Sequence, residues 1–204
     1  FWNAWTHTIY FTLVSTLAET VLGLAMALLL VERFPGRSIV RAAMLVPWAM
    51  PTVVTSKMFG WLFDGQYGVV NWALRSLGLI GENVNWYGSV DHAMTTIIIA
   101  DVWKATPFMA LLLLAGLQTI PASLTEAARM DGAGEFRIYW SLILPLCRPI
   151  LVTLAIFTFL GAWNDFMWPL IVLTDSSMYT LPVALANLLG EHVQDTELMM
   201  AGSV

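Results

Sequence analysis

Four stretches of the chain are long, apolar and almost free of charge, and this feature limits the possible folds more than any other. They cover residues 9–31, 42–63, 93–117 and 150–173, and a fifth apolar run begins at Leu198. An α-helix needs about 20 mostly apolar residues to cross the ~30 Å hydrocarbon core of a bilayer. Each of the four stretches meets that length, so the sequence predicts four membrane-spanning helices and the start of another.

The composition excludes the other common classes of protein. Only 11% of the residues are charged and 58% are hydrophobic, whereas a soluble domain carries about 25% charged residues. So few charges cannot cover a water-soluble surface, and disordered chains are polar rather than apolar. The net charge of −5 argues against nucleic acid as a partner, because phosphate contacts need a basic patch. The predicted fold class is therefore all-α, a polytopic transmembrane helical bundle.

The arginines predict which loops face the cytoplasm. The loops at 64–92 and 174–197 hold only Arg75. The loops at 32–41 and 118–148 hold Arg33, Arg37, Arg41, Arg129, Arg137 and Arg148. Because short loops rich in Lys and Arg stay in the cytoplasm, we expect the second pair of loops inside the cell and the first pair outside.

The two ends of the sequence predict that it is the core of a longer protein. Phe1 falls on the outer side under the predicted orientation, yet no signal-peptide pattern accompanies it. The last apolar run is cut short at Val204. We therefore expect further helices on both sides of this sequence, and the alternative is a natural four-helix protein.

The predicted cytoplasmic segment 120–146 begins with the pattern of a short capped helix. Ser123 and Glu126 have the spacing of a capping box, in which each side chain bonds a backbone N–H near the other residue. We therefore expect a helix that starts at Ser123 and that another protein can approach closely at Ala127 and Ala128.

Glycines divide this segment into two parts. Gly132 and Gly134 can supply the positive φ that ends a helix and turns the chain. A second amphipathic helix is predicted at 135–144, and we expect it to stop at Pro145, because proline cannot continue the hydrogen-bond ladder of a helix.

The same segment contains a spaced motif that reads E-A-A, three residues, G, nine residues, I, one residue, L-P. The matching residues are Glu126, Ala127, Ala128, Gly132, Leu144 and Pro145, with Leu142 at the isoleucine position. This motif resembles the cytoplasmic loop signature of the membrane subunits of binding-protein-dependent ABC importers. Three phrases elsewhere are similar to the carbohydrate-uptake branch, the family of the maltose and glycerol-phosphate permeases. They are LVPWAMP at 45–51, DVWKATPFMALLLLAGLQTIP at 101–121 and GAWNDFMWPLIVLTD at 161–175.

The resemblance implies the type I ABC importer permease fold over residues 1–204 and a role for the cytoplasmic loop at 118–148. In such importers this loop carries a coupling helix, which sits in a groove on a cytoplasmic ATPase and transmits its closure to the membrane helices. The residues that match this role are Glu126, Ala127, Ala128, Arg129, Asp131 and Gly132.

The resemblance also implies the partners. They are a second permease subunit, identical or related, two ATP-binding cassette ATPases that use ATP and Mg, and an extracytoplasmic binding protein that docks on the outer loops and delivers a sugar. The sequence contains no G-x-x-x-x-G-K-[ST] motif, which would bind ATP phosphates. We therefore expect that this chain does not bind ATP by a P-loop. The resemblance implies that the chain is not an enzyme, binds no cofactor itself and lies as a multi-pass protein in a prokaryotic inner or plasma membrane.

Polar residues within the apolar stretches are candidates for the solute pathway. Trp163, Asn164 and Asp165 combine an aromatic face with planar hydrogen-bonding groups, the types that sugar recognition needs, and helix–helix hydrogen bonding is the alternative. Asp101 and Lys104 lie three residues apart on one predicted helix and can pair on one face. We expect a structural ion pair there, with direct solute contact as the alternative.

Two other functions fit parts of the sequence. The chain could be a permease of the same superfamily for amino acids, polyamines, phosphate or glycerol phosphate. It could also be an intramembrane enzyme, such as a lipid-modifying transferase, that uses Asp101 or Asp165. The three histidines are far apart in the sequence, so no metal site is predicted.

Overall fold

The computed structural model describes residues 2–32, 34–173 and 175–190, and every regular element in these ranges is helical. The α-helices are α1 (Trp2–Val31), α2 (Arg37–Ala49), α3 (Thr52–Leu62), α4 (Val69–Ser76), α5 (Val90–Leu117), α6 (Ala122–Met130), α7 (Glu135–Ile138), α8 (Leu144–Trp163), α9 (Met167–Val172) and α10 (Leu181–Gly190). A π-helical turn joins α7 to α8 at Tyr139–Ile143, and a 3-10 turn covers Ser176–Met178. The predicted helix start at Leu198 lies outside the described residues.

Three helical stretches in the described part of the chain are long and apolar enough to cross a bilayer. They are α1, α5 and the run from Glu135 to Val172. Helices α2 and α3 meet the same criterion only as a pair, with a bend of 92° between them. These four stretches coincide with the four apolar segments of the sequence. Pro107 lies inside α5 without dividing it.

The predicted span over 42–63 is divided between two helices, because the chain bends between α2 and α3. Pro51 lacks the N–H that would bond the carbonyl of residue 47, and its ring disfavours helical backbone at Met50. Pro51 instead takes an extended conformation (φ −57°, ψ 137°) and begins the next helix. Its carbonyl accepts the N–H groups of Val54 and Thr55 at 3.0 Å each.

A second break separates α8 from α9, so that Asn164 and Asp165 are not in the middle of a helix as predicted. Pro169 has no N–H for the carbonyl of Asp165, which lies four residues earlier. Asn164 ends α8 by donating its side-chain amide to the carbonyl of Leu160 at 2.8 Å. The Asp165 carboxylate then accepts the backbone N–H of Trp168 at 3.3 Å. Side chains thus replace part of the hydrogen bonding that the break removes.

The prediction that a helix stops at Pro145 is also wrong. The N–H of Leu144 bonds the carbonyl of Tyr139 across the π turn, five residues back. Proline normally crowds the carbonyl four residues earlier and gives it no hydrogen bond. The wider π turn directly before Pro145 relieves that crowding, so the helix continues as α8.

The chain divides into two compact units. The first comprises Phe1–Ser15, Met50–Asp101 and Leu160–Val204, and the second comprises Thr16–Ala49 and Val102–Phe159. The described parts of both loops that were predicted to lie outside belong to the first unit, and the described parts of both arginine-rich loops belong to the second. Each unit therefore groups loops that the arginine count assigns to the same side.

Close helix packing forms the core of the second unit. Gly23 of α1 lies so near α5 that a Cβ atom there would be 2.8 Å from Cγ of Met109. Gly116 of α5 approaches Ile150 of α8 in the same way. Small residues let membrane helices approach closely, and dispersion then stabilises the contact. The buried residues of this core are Ala27, Leu30, Met109, Leu113, Leu114, Leu117 and Cys147.

Trp168 connects three helices of the first unit, α3, α5 and α9. Its side chain is 3% exposed, and its indole N–H donates to the carbonyl of Ile97 in α5 at 3.2 Å. Its ring meets the edge of Phe59 in α3 with centroids 6.0 Å apart. One side chain from α9 therefore contacts both α3 and α5. At the start of the chain, Thr8 also contributes, because its hydroxyl accepts the N–H of Leu181 at 2.7 Å.

Asn71 fixes the loop that connects α3 to α5. It is 1% exposed, and its amide nitrogen donates to the carbonyls of Asp64, Gly65 and Val84 at 3.3, 3.3 and 2.9 Å. Its amide oxygen accepts the N–H of Val84 at 3.2 Å and the indole N–H of Trp86 at 3.0 Å. Five hydrogen bonds on one buried amide give this loop a defined shape.

Two further groups order the same loop. The Asp64 carboxylate accepts the N–H groups of Gln66 and Tyr67 at 2.8 Å each, and these hydrogen bonds lower the pKa of Asp64 below its usual value. The Tyr87 hydroxyl donates to the carbonyl of Phe59 at 3.3 Å. Burial, with the charge of Asp64 as a second cause, raises the pKa of Tyr87 to about 12, so this phenol remains a donor at physiological pH.

Replacing Asn71 tests whether this amide stabilises the loop. Asn71→Ala removes the acceptor of the Val84 N–H and of the Trp86 indole N–H and the donor to the Val84 carbonyl, so we expect a loss of about 2–4 kcal/mol of unfolding free energy. The measurement is the thermal unfolding midpoint in detergent, followed by tryptophan fluorescence. Asn83→Ala is the matched control, because Asn83 is exposed and donates one bond, to Gly65 at 3.1 Å. Equal shifts of the midpoint in the two variants would contradict the prediction.

Candidate functional site

The motif residues lie on a compact helix–turn–helix segment, residues 121–138, which we call the elbow. It comprises α6, a four-residue turn and α7, and the two helices contact each other. Pro121 precedes α6 in an extended conformation (φ −61°, ψ 130°), and its carbonyl accepts the N–H of Leu124 at 3.1 Å.

The predicted capping box of Ser123 and Glu126 is wrong. Helix α6 begins at Ala122, and no side chain caps its first turn. Ser123 therefore lies inside the helix, where its hydroxyl cannot occupy the N-cap position. Pro121, whose ψ of 130° lies outside the helical region, supplies the non-helical residue that a cap position requires.

Gly132 ends α6 as predicted. Its φ is +79°, in the left-handed region that glycine adopts without a steric penalty. The N–H of Ala133 bonds the carbonyl of Ala128 at 3.0 Å, and the N–H of Gly132 bonds the carbonyl of Arg129 at 3.0 Å. This pair of bonds is a Schellman motif, which satisfies the last carbonyls of the helix.

Gly134 does not have the positive φ that was predicted. Its φ is −70° and its ψ is 157°, an extended conformation that any residue can adopt. Its carbonyl accepts the N–H of Ile138 at 3.0 Å, so Gly134 begins α7. The turn therefore depends on one glycine, Gly132, rather than on two.

An ion pair joins the two helices of the elbow. Nε of Arg129 lies 2.6 Å from Oε1 of Glu135, and a terminal guanidinium nitrogen lies 3.0 Å from Oε2. Hydrogen bonding and charge from Glu135 raise the pKa of Arg129, and the charges of Glu32 and Glu126 add to this. Arg129 was predicted as a coupling residue together with Glu126, and the structure gives it a partner within its own chain.

The exposed surface of the elbow combines small, acidic and large apolar side chains. Glu126, Ala127, Asp131 and Gly132 are exposed, and Ala128 is half-buried. Met130 is 89% exposed and Phe136 is 78% exposed. Sequence reasoning missed these two residues, although apolar residues on either side of a glycine turn are a recognisable signal. Large apolar side chains that water surrounds mark an interaction surface.

The predicted pathway residues Trp163, Asn164 and Asp165 lie together at the break between α8 and α9. Trp163 is half-buried, and its ring meets the edge of Trp5 with centroids 5.5 Å apart. Asn164 is exposed and Asp165 is half-buried. Both polar side chains bond backbone near the break, so they have a structural role, and their role in solute binding remains a prediction.

The charged residues of the apolar stretches lie in different environments. Asp101 and Lys104 are both half-buried on α5, and their predicted ion pair remains a prediction. Glu19 is 2% exposed. Lys57 is exposed and lines a cavity of about 270 Å³ with Ser56, Gly60, Trp61, Tyr87, Ile171 and Val172.

Comparison with protein families gives a match over most of the chain. Residues 19–193 match the family described as "Binding-protein-dependent transport system inner membrane component".

Several curated relatives are transport permeases. The chain is 46% identical to the trehalose/maltose transport system permease protein MalF of Thermococcus litoralis, over 81% of this chain and 56% of the relative. It is 40% identical to the sulfoquinovosyl glycerol transport system permease protein SmoG of Agrobacterium fabrum, over 83% and 54%. It is 37% identical to the trehalose transport system permease protein SugA of Mycobacterium tuberculosis, over 81% and 52%. The chain spans about half the length of these relatives.

Two solved structures have the same fold. One is the crystal structure of a bacterial ABC transporter involved in the import of the acidic polysaccharide alginate, with a TM-score of 0.85 and 20% identity. The other is the bacterial alginate ABC transporter in complex with an alginate pentasaccharide-bound periplasmic protein, with a TM-score of 0.82 and 21% identity. All of this chain is covered, together with 72% and 71% of those chains. The likeness confirms the predicted all-α permease fold.

The Schellman turn can be tested with two glycine variants. Gly132→Ala places a Cβ at a φ of +79° with no atom within 4 Å, so its cost is purely conformational, about 1–2 kcal/mol. In this variant we expect faster amide hydrogen exchange at positions 132 and 133, measured by mass spectrometry. Gly134→Ala is the control, because its Cβ also meets no atom within 4 Å and its φ suits alanine. Equal exchange in both variants would argue against the turn geometry.

Proposed function

The chain belongs to the family of binding-protein-dependent transport system inner membrane components, and from this premise we propose that it is a permease subunit of an ATP-driven importer for a sugar or sugar-like solute. With a second permease subunit it forms the translocation pathway. The named relatives act in the transport of trehalose, maltose and sulfoquinovosyl glycerol, which supports a sugar over an amino acid, a polyamine or phosphate.

The observation that carries this proposal is the shape and composition of the elbow. A Schellman turn and an ion pair give it a defined form, and its surface presents Met130 and Phe136 beside the carboxylates of Glu126 and Asp131. The arginine count predicts that this segment lies in the cytoplasm. A rigid apolar projection with acidic residues fits a groove on a cytoplasmic ATPase that is apolar at its centre and basic at its rim.

The energy source and the other partners follow from this arrangement. Two ATPase subunits bind and hydrolyse ATP with Mg, and this chain binds no cofactor and catalyses no reaction itself. A solute-binding protein docks on the outer side, where the loop held by Asn71 offers a surface of defined shape. The complex of an alginate transporter with its periplasmic protein supports such a docking partner by analogy of fold.

The mechanism requires the two access states of the pathway to differ in their contacts with nucleotide-bound ATPases and with the binding protein. A ligand shifts a conformational equilibrium only through its different affinity for the two states. ATP-driven closure of the ATPases moves the elbow, and α8 carries this motion from the elbow towards the break at 164–166. Interrupted helices line solute sites in transporters, so Trp163, Asn164 and Asp165 are the proposed solute contacts.

The solute class is tested with the cognate solute-binding protein of the proposed importer. Its thermal stability is measured against a panel of sugars, amino acids, polyamines, phosphate and glycerol phosphate. We expect stabilisation by a sugar, because binding to the native state raises the unfolding midpoint. Stabilisation by a polyamine or an amino acid alone would contradict the sugar assignment and leave the importer assignment intact.

The contact with the ATPase is tested by changing the elbow surface in the assembled transporter. Met130→Asp puts a charge on the apolar projection, and Glu126→Arg reverses a neighbouring charge. We expect each variant to lower solute uptake at least tenfold, since burying an unpaired charge costs several kcal/mol, with unchanged amounts of protein in the membrane. Met130→Leu keeps the apolar surface and serves as the control. Uptake at the level of the unmodified protein in Met130→Asp and Glu126→Arg would refute the coupling role.

A further inference from the structure

We propose that Arg129 is a positioning residue, which fixes the angle between α6 and α7 through its ion pair with Glu135, rather than a residue that contacts the ATPase. This inference rests on the proposed function, because the orientation of the elbow matters only if the elbow docks on a partner. It separates Arg129 from the other residues of the motif, and it assigns a role to Glu135, which lies outside the motif.

The geometry of the ion pair restricts orientation as well as distance. Arg129 uses two nitrogens and Glu135 uses both oxygens, at 2.6 and 3.0 Å. Such a bidentate pair keeps the guanidinium and carboxylate planes together, whereas a lysine would act as a point charge. The pair therefore constrains how the end of α6 is oriented relative to the start of α7.

The ion pair can constrain the angle between α6 and α7 because its two residues lie on opposite sides of the turn. Arg129 precedes the turn centred on Gly132, and Glu135 follows it. On the α6 side of the turn, the N–H groups of Asp131, Gly132 and Ala133 bond carbonyls of α6, and none of these three bonds reaches α7. The Arg129–Glu135 pair is the side-chain link that crosses the whole turn from α6 to α7.

The exposure of the pair indicates that it affects the relative orientation of α6 and α7 more than the stability of the fold. The two side chains are 52% and 73% exposed, and exposed ion pairs add little to the stability of a fold in water. The same pair becomes stronger where a docked partner excludes water, because the effective dielectric constant falls. Its contribution is therefore greatest in the assembled transporter.

The charges around Arg129 support an internal role. Glu135 holds the guanidinium directly, and Glu32 and Glu126 lie close enough for their charges to raise the pKa of Arg129 further. Because the Glu135 carboxylate pairs with the guanidinium at 2.6 and 3.0 Å, Arg129 offers a partner less net charge than an unpaired arginine would. Beside this pair the elbow presents the carboxylates of Glu126 and Asp131 and the guanidinium of Arg137, an acidic excess that favours a basic rim on the ATPase groove.

A charge-swap experiment in the assembled transporter tests the proposal. The variants are Arg129→Glu, Glu135→Arg and the double variant R129E/E135R, and the readout is solute uptake per ATP hydrolysed. We expect each single variant to lower this ratio about fivefold, the size of effect that an exposed bidentate pair supports. The double variant restores at least half of the original ratio, and Arg129→Lys, which keeps charge without the fork, gives an intermediate value.

A second double variant controls for the number of charges. Arg137 is exposed on α7, two residues after Glu135. E135R/R137E has the same overall charge as R129E/E135R but cannot rebuild the link to α6. We expect no recovery in this variant, so that rescue depends on position 129 and not on net charge.

The possible outcomes separate this inference from the proposed function. The inference is overturned if solute uptake per ATP hydrolysed is as low in R129E/E135R as in the worse single variant, or if Glu135→Arg leaves this ratio unchanged. In either case Arg129 does not act through Glu135. If the unmodified protein neither co-purifies with an ATPase nor needs one for uptake, the proposed function itself fails. Recovery in R129E/E135R alone, with the ATPase bound throughout, supports both.

Discussion

Backbone hydrogen bonding within the bilayer is the constraint on which the rest of this structure depends. A lipid core offers no water to an unpaired N–H or carbonyl, so every proline within an apolar stretch requires a replacement bond. At two of these prolines the backbone departs locally from the regular α-helix, with an extended conformation at Pro51 between α2 and α3 and a π turn before Pro145. At the end of α8, Asn164 and Asp165 provide side-chain bonds. Breaks in the helices are therefore stable features of the fold.

The positions of these features bear on the proposed role in transport. The break at 164–166 lies at one end of α8, and the elbow lies before its other end. A helix is stiff along its axis, because each turn is bonded to the next. Motion applied at the elbow can thus reach the residues at the break without any contact that is specific to the solute. Trp168, which contacts α3 and α5, supports the break from the side of α9.

Much of the fold and part of the site could be predicted from the sequence. The length of the apolar stretches identified the spanning segments, and Gly132 identified the turn, because both signals are local. The errors arose where two local rules competed. Ser123 and Glu126 had the spacing of a capping box, but Pro121 had already begun the helix. Pro145 had the chemistry of a helix stop, but the π turn beside it accommodated the proline.

By itself the sequence determined the class of protein and the motif that marks the family, and it predicted on which side of the membrane each loop lies. These results depend on composition, spacing and local backbone preferences. Only the tertiary structure decided which partners the polar side chains take. Trp168 bonds a carbonyl 71 residues away along the chain, and Asn71 is buried by a loop that folds back over it. Arg129 pairs with Glu135 across the turn between α6 and α7. Such contacts depend on distances in space, which no spacing along the chain encodes.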